Sequence, residues 1–190
     1  RGLGDVYKRQ VYAVENPGYQ KIGKIYRNYQ VNWTYIDMDD EGVEVSQLEE
    51  KRVDIVHISP SHHYPTGIVM PISRRYELLG WASKGEGRYI IEDDYDSEFR
   101  YRGKPIPSLQ SSDEKGKVIY IGTFSKAIAP AIRVSYMVLP GDLLDIYRRD
   151  CSFYSCTVSR IDQRILNEFI RDGYFERHLN KMRMRYRAKH

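Results

Sequence analysis

Between Lys117 and Pro140 the chain reads KVIYIGTFSKAIAPAIRVSYMVLP, and two cations in this stretch have neighbours that suit covalent and phosphate chemistry. Val118 to Ile121 form a short apolar run that predicts a buried strand. Gly122, Thr123, Phe124 and Ser125 break the pattern and Lys126 follows. A lysine among small hydroxyl residues at a strand's carboxyl end lies where open α/β sheets keep their ligands. Its amine can form a Schiff base with a carbonyl compound. Thr123, Ser125 and Arg133, which opens a second apolar run, supply hydroxyls and a planar guanidinium for a phosphate. An aldehyde that also carries a phosphate suggests pyridoxal phosphate. The same residues also suit an ordinary surface lysine in a Ser/Gly loop.

A second stretch, RYIIEDDYDSEFRY from Arg88 to Tyr101, ends a β-prone run in Glu92, Asp93, Asp94, Asp96 and Glu98, with Tyr95 among them. A pyridoxal cofactor needs a carboxylate opposite its ring nitrogen, and it gains from a phenol near the ring oxygen. Carboxylates alone would equally suit a hard cation or a solvated turn.

EDDYDSEFRY, the upstream SHHYPTG (Ser61 to Gly67) and GTFSKAIAPAIRVSYMVLP occur in this order. Together they resemble the aminotransferase-type domain of the MocR/GabR group of GntR-family bacterial transcription regulators, a domain similar to fold-type-I pyridoxal-phosphate aminotransferases. The resemblance spans about residues 11 to 190. It implies Lys126 as the Schiff-base lysine, Asp93 as the partner of the pyridine nitrogen, and Tyr95 as the residue near the ring hydroxyl. Arg133 matches the phosphate arginine, with Thr123 and Ser125 at phosphate-contacting positions. Tyr64 stands directly before the PTG, where free-standing aminotransferases commonly have asparagine, and its hydroxyl is the available substitute. The implied fold is the α/β large domain of that family, a mostly parallel sheet flanked by helices, with C-terminal helices leading to the small domain.

Two function classes follow from the resemblance. One is the effector-sensing domain of a transcription regulator that binds a small-molecule amine or amino acid; the other is a free-standing amino acid aminotransferase. The family dimerises, and the regulator group touches DNA through an N-terminal winged helix with no counterpart here. A glycine-rich phosphate segment, a ring-stacking aromatic and a C-terminal substrate arginine also have no recognised counterpart, so the chain reads as an internal fragment.

The 190 residues suffice for one core, and their apolar and charged fractions are ordinary for a soluble protein. The net charge of +4 is concentrated towards the C-terminus rather than spread in a stripe, which reads as a solvated helix face more readily than a nucleic-acid site. Cys151 and Cys156 have no zinc-finger partners and indicate no disulfide framework, so reduced cytoplasmic thiols are the default. No apolar run reaches bilayer-spanning length.

Residues 1 to 10 lack any period and read as a spurious or unstructured end; 11 to 150 read as the cofactor-binding portion and 151 to 190 as helices leading onward. Strands are expected at Val11 to Val14, Val31 to Ile36, Val53 to Ser59, Tyr89 to Ile91, Val118 to Ile121 and Val134 to Leu139. Helices are expected after Asn16-Pro17 with Asn16 as cap, after Ser46 with Glu49 completing a capping box, from Ser73 to Lys84, and from Asp142 to Arg149. Tyr19, Ile22, Ile25, Tyr26 and Tyr29 share one helical face and predict core packing. Val158 to Arg171 predicts an amphipathic helix with Ile161, Ile165, Leu166, Phe169 and Ile170 inward, stopped by Gly173 before a basic helix from Tyr174. Asp37 to Gly42 reads as an acidic loop, and His57 as a packed sheet residue.

Overall fold

The computed structural model describes residues 10–99 and 106–187, so the first nine residues and Arg100 and Tyr101 of the acidic motif lie outside the described residues. Seven strands form one sheet: β1 Tyr12–Asn16, β2 Trp33–Asp39, β3 Gly42–Val43, β4 Ile55–Ile58, β5 Tyr89–Asp94, β6 Val118–Thr123 and β7 Ser135–Val138. Their order is β3-β2-β1-β4-β5-β6-β7, with parallel pairing from β2 through β6 and an antiparallel strand at each edge. The α-helices are α1 Gln20–Asn28, α2 Val45–Glu50, α3 Ile72–Ser83, α4 Gly141–Asp150, α5 Arg160–Arg171 and α6 Tyr174–Arg187, with short 3-10 turns at Ser97–Phe99 and Gln110–Ser112. Because β2 and β4 flank β1 on opposite sides, chain direction across the sheet reverses there, which opens a crevice at the carboxyl ends of β1 and β4.

One sheet face carries the core. Ala13, Ile36, Val56, Ile58, Ile90 and Val118 pack there with Leu48 of α2 and Leu78, Leu79, Trp81 and Ala82 of α3, all buried. The alternation that puts Ile90 on this face also brings Glu92, which is fully buried. Its carboxylate accepts the backbone N–H groups of Leu109 and Gln110 at 3.0 Å each and lies 3.6 Å from Arg75 of α3. Arg75 in turn donates to the carbonyls of Pro60, Met70 and Pro107 at 2.8, 3.1 and 3.0 Å. A single buried guanidinium therefore ties both ends of the segment that holds SHHYPTG to β5.

Helix starts depart from the sequence expectation in a consistent way. Asn16 ends β1 and donates to Asp37 at 3.0 Å instead of capping a helix; α1 begins at Gln20 after the Pro17-Gly18 turn. Ser46 and Ser73 fall inside helices whose N-cap positions are Glu44 and Pro71, and Asp142 lies in the first turn of α4 behind Pro140. At Asn16, Ser73 and Asp142 a tertiary partner or a proline set the boundary. Asp142, for example, accepts a hydrogen bond from the Tyr89 hydroxyl at 2.5 Å. Ser159 does cap α5, accepting from the Asp162 N–H at 3.1 Å, and Gly173 closes it at φ +72°. The acidic segment Asp37 to Gly42 is the β2–β3 hairpin.

Two apolar faces also differ from expectation. On α1, Gly23 packs directly under Trp33 with Ile22 and Tyr26 half-buried, while Tyr19, Ile25 and Tyr29 are exposed. On α5, Ile161 and Ile165 are 71% and 61% exposed and Ile170 is also exposed, whereas Leu166 and Phe169 are half-buried, with Phe169 against Tyr174 and Phe175. The 3.6-residue period is present in both helices, but the described residues place no layer over those side chains.

Glu15, next to the end of β1, is another buried acid that shapes this end of the sheet. Burial pushes its carboxyl up to about 8, although the Ser59 N–H donates to it at 3.1 Å. Burial lowers the His63 imidazole. Both shifts favour neutral forms, so the 3.4 Å approach of His63 to Glu15 is that of an uncharged acid to an uncharged imidazole rather than an ion pair.

Two stability predictions follow from these groups. Arg75→Met leaves the buried Glu92 without its cation and the carbonyls of Pro60, Met70 and Pro107 without their donor, and its unfolding free energy from denaturant titration is expected to fall by about 3–5 kcal/mol; a loss below about 1 kcal/mol would show that the clamp carries little stability. For Glu15, the unfolded chain releases its proton above the ordinary 4.5 while the folded chain keeps it to about 8, so stability drains away as pH rises through that window. Relative to Glu15→Gln, the wild type should lose more than about 1 kcal/mol between pH 5 and pH 8, and parallel curves for the two proteins would contradict it.

Candidate functional site

The site residues are held by the parallel pairing of β5 with β6, in which Asp93 stands opposite Ile121 and Asp94 opposite Gly122. Both strands therefore end side by side, and the segments that follow them emerge together. Alternation along β5 then sorts the acids. Asp94, on the core face, accepts from the Tyr120 hydroxyl at 2.7 Å and from the Ser97 N–H at 3.1 Å. Asp93, on the opposite face and partly exposed, lies 3.8 Å from Nε2 of His57, whose Nδ1 contacts the Tyr26 hydroxyl at 2.9 Å. His57 is a sheet residue as expected, and it also links α1 to Asp93. Its Nε2 is buried with no hydrogen-bond partner, which leaves a polar atom directed at the Asp93 carboxylate.

Beyond β5, Tyr95 donates its hydroxyl to the His62 carbonyl at 2.7 Å and its ring stacks on the His62 imidazole. Burial, reinforced by the charges of Asp96, Asp93, Glu15 and Asp94, pushes the Tyr95 phenol up to about 12. It stays a donor through neutral pH. Asp96 is almost fully buried, and its Oδ2 receives both His62 Nδ1 at 2.7 Å and Lys126 Nζ at 2.5 Å. The Lys126 ammonium lies 5.4 Å from the centre of the Tyr95 ring.

Lys126 is positioned from its carboxyl side by packing. Ala127 is fully buried against Phe99 of the turn after β5 and Leu179 of α6, with Ile128, Phe175 and Met182 around them. Arg183 of α6 donates to the Glu98 carbonyl at 2.7 Å, so this basic helix has a structural part in the site. On the amino side, the Thr123 hydroxyl donates to the Val134 carbonyl at 3.3 Å and accepts from the Ser125 N–H at 3.2 Å. The Phe124 N–H also bonds to Val134, which brings Arg133 beside the Thr123–Ser125 segment. Arg133 is exposed, has no ion pair among the described residues, and adopts φ +49°, a left-handed conformation rare for a side-chain-bearing residue.

The structure thus joins Lys126 to Tyr95 and sets Arg133 next to Thr123 and Ser125. It makes no hydrogen bond or ion pair between Lys126 and Asp93 among the described residues; they meet only through the neighbouring strand ends. Tyr64 is exposed and packs edge-on against Tyr19 with ring centres 6.0 Å apart. These rings stand at a cleft of about 190 Å³ at the crevice between β1 and β4, lined by Glu15, Asn16, Tyr19, Tyr35, His57 and Pro65 among others. Lys126 is not part of that lining; His57 connects the cleft to Asp93. Tyr19 is one of the residues that helical periodicity places on a packed face and the structure leaves exposed; it is an aromatic of the cleft, and its position just past the carboxyl end of β1 is the available signal.

Comparison with known proteins agrees with this arrangement. The chain is 45% identical to the uncharacterized HTH-type transcriptional regulator YdeL of Bacillus subtilis over 92% of its own length and 38% of that protein. It is 33% identical to the probable rhizopine catabolism regulatory protein MocR of Rhizobium meliloti, over 91% of this chain and 35% of the relative. It thus spans under two fifths of the length of these regulators. Among solved structures, the kynurenine aminotransferase of Pyrococcus horikoshii, in complex with PMP, superposes with a TM-score of 0.83 at 32% identity, over 98% of this chain and 48% of that one. The α-aminoadipate aminotransferase LysN of Thermus thermophilus, complexed with N-(5'-phosphopyridoxyl)-L-leucine, gives 0.82 at 26% identity, over 98% and 50%. The aminotransferase class I and II pattern matches residues 6–190, and with the sheet order and strand-end site already described, the chain belongs to that family.

Proposed function

We propose that this chain is the pyridoxal-phosphate-binding, effector-sensing part of a transcription regulator of the GntR/MocR type, with Lys126 as the residue that bonds the cofactor's aldehyde carbon. The observation that carries this reading is the gathering, at the ends of β5 and β6, of Lys126, Tyr95 and Asp93 with the hydroxyls of Thr123 and Ser125 and with Arg133, which has no ion pair among the described residues. The similarity to regulators supports the sensing role.

The residues fit the group. A guanidinium with no ion pair among the described residues, beside two hydroxyls, suits a phosphate dianion, and a partly exposed carboxylate 3.8 Å from the His57 Nε2 suits a protonated ring nitrogen. When bound, pyridoxal phosphate supplies an electrophilic aldehyde and a ring that accepts electron density. With the group bound, Asp93 would keep the ring nitrogen protonated, and the Tyr95 hydroxyl, which here donates to the His62 carbonyl, would supply the phenol for the ring oxygen. Arg133, Thr123 and Ser125 would hold the phosphate, Tyr19 would offer a flat face, and the Tyr64 hydroxyl would take the place of the usual amide. The Lys126 amine would accept and return the proton of an amine ligand. Residues 11 to 150 form the cofactor-binding portion and 151 to 190 lead towards a second domain. The intact protein is a cytoplasmic homodimer that senses a small-molecule amine or amino acid and contacts DNA through a separate winged-helix domain. No helix among the described residues is long and apolar enough to cross a membrane.

A second reading, a free-standing amino acid aminotransferase, is favoured by the 32% identity to the Pyrococcus enzyme. The upstream reading frame separates the two: a winged-helix segment supports the regulator, and its lack together with measurable transamination by the full-length protein supports the enzyme.

The cofactor assignment is tested by mixing the full-length protein with pyridoxal phosphate, reducing with borohydride and mapping the adduct by peptide mass. The adduct is expected on Lys126 and is lost in Lys126→Ala; Arg133→Ala should weaken cofactor affinity by about tenfold while the adduct still forms. Asp93→Asn should retain the adduct but slow deuterium exchange at the α-carbon of an amino acid ligand. An adduct that persists in the lysine variant would overturn the assignment.

A further inference from the structure

Two residues at the site have no part in the assignments above. Asp96 follows Tyr95 directly, and His62 is the second residue of SHHYPTG. One oxygen of Asp96, Oδ2, is shared between Lys126 Nζ at 2.5 Å and His62 Nδ1 at 2.7 Å. The exposures are unequal: the Asp96 side chain is 5% exposed, and those of Lys126 and His62 are each 49% exposed. The acid is thus fixed in the protein while the amine reaches solvent. The Asp96 carbonyl accepts the Phe99 N–H at 3.0 Å, and Phe99 is packed against Ala127, so the backbone on both sides of the pair is locked to the same small cluster. The Tyr95 ring gives the ammonium a further favourable surface.

From this geometry we infer that Asp96, anchored by His62, is a catch for Lys126. It holds the ammonium at a set point when no aldehyde is engaged, and it competes with any aldehyde for the nitrogen. An ammonium has no lone pair. Before Lys126 attacks a carbonyl it must leave Asp96 and give a proton to water; the N–C bond then forms, and water departs as the C=N bond closes. Asp96 and His62 are positioning residues in this scheme, since they act through Lys126. The importance of the catch rests on Lys126 being the aldehyde-bonding residue, but its existence can be tested without the cofactor.

The test is reductive methylation of the full chain with formaldehyde and cyanoborohydride at pH 7.5, read at single lysines by peptide mass mapping. Formaldehyde is the probe aldehyde and cyanoborohydride supplies the hydride. Lys24, an exposed residue of α1 with no ion pair among the described residues, is the internal standard. Lys126 is expected to react more slowly than Lys24 in the wild type. Asp96→Asn should raise the Lys126 rate by about fivefold with Lys24 unchanged, the scale of a partly exposed ion pair, and Asp96→Glu should restore slow labelling. His62→Gln, at a half-exposed side chain, should raise the rate by about twofold and serves if the Asp96 variants do not fold. Equal Lys126 rates in wild type and His62→Gln, or in wild type and a folded Asp96→Asn, overturn the catch. A pyridoxal phosphate adduct mapping away from Lys126 overturns the cofactor assignment instead, so the two failures are distinguishable.

Discussion

The register between β5 and β6 is the constraint on which the rest of the site depends. Because the two strands run parallel and end together at Asp94 and Thr123, the segments carrying Tyr95, Asp96 and Lys126 leave the sheet at the same place. A slip of one residue would turn every β5 side chain to the other face. Glu92 and Asp94 would then leave the core side and Asp93 would enter it. The buried contacts of Glu92 with Arg75, Leu109 and Gln110 oppose that slip, since a displaced Glu92 would forfeit two amide hydrogen bonds and strand a guanidinium. Structural and chemical acids thus alternate along one strand, and the former hold the latter in place.

The same division appears in the loops. Arg75 grips Pro60 and Met70, so the SHHYPTG segment between them is anchored at both ends while its tip, with Tyr64, is exposed. The Tyr95 hydroxyl then stitches that segment to the end of β5 through the His62 carbonyl. Rigid anchoring of a loop at its base with exposed chemistry at its tip is the usual way for a sheet to present a ligand site. The left-handed backbone at Arg133 belongs to this pattern, because a side-chain-bearing residue keeps that conformation only where its neighbours impose it. Here the β6–β7 pairing and the Val134 carbonyl, which takes two hydrogen bonds, do so.

Much of this was legible in the residues themselves. The strand positions, Lys126 after a broken apolar run and the acidic end of β5 all follow from periodicity and composition, because a buried parallel strand must be apolar and its ligands must come after it. The helix caps were less legible. Asn16, Ser46, Ser73 and Asp142 all have the chemistry of caps, but partners distant in sequence, such as Asp37 for Asn16 and Tyr89 for Asp142, claimed two of them. Periodicity also over-predicted burial on α1 and α5, since it reports which side of a helix is apolar and not whether anything lies against it.

What the sequence determined by itself was where most strands lie along the chain and the residue types at their carboxyl ends, for these depend on local pattern alone. The tertiary structure decided which of four nearby acids does what: Glu92 holds Arg75, Asp94 holds Tyr120, Asp93 faces His57 and Asp96 holds Lys126. It also turned Tyr19 from a presumed core residue into a wall of the cleft. The physical reason is that a carboxylate or an aromatic ring is the same group at every position, and its role is set by the partners that strand register and loop anchoring bring to it from far along the chain.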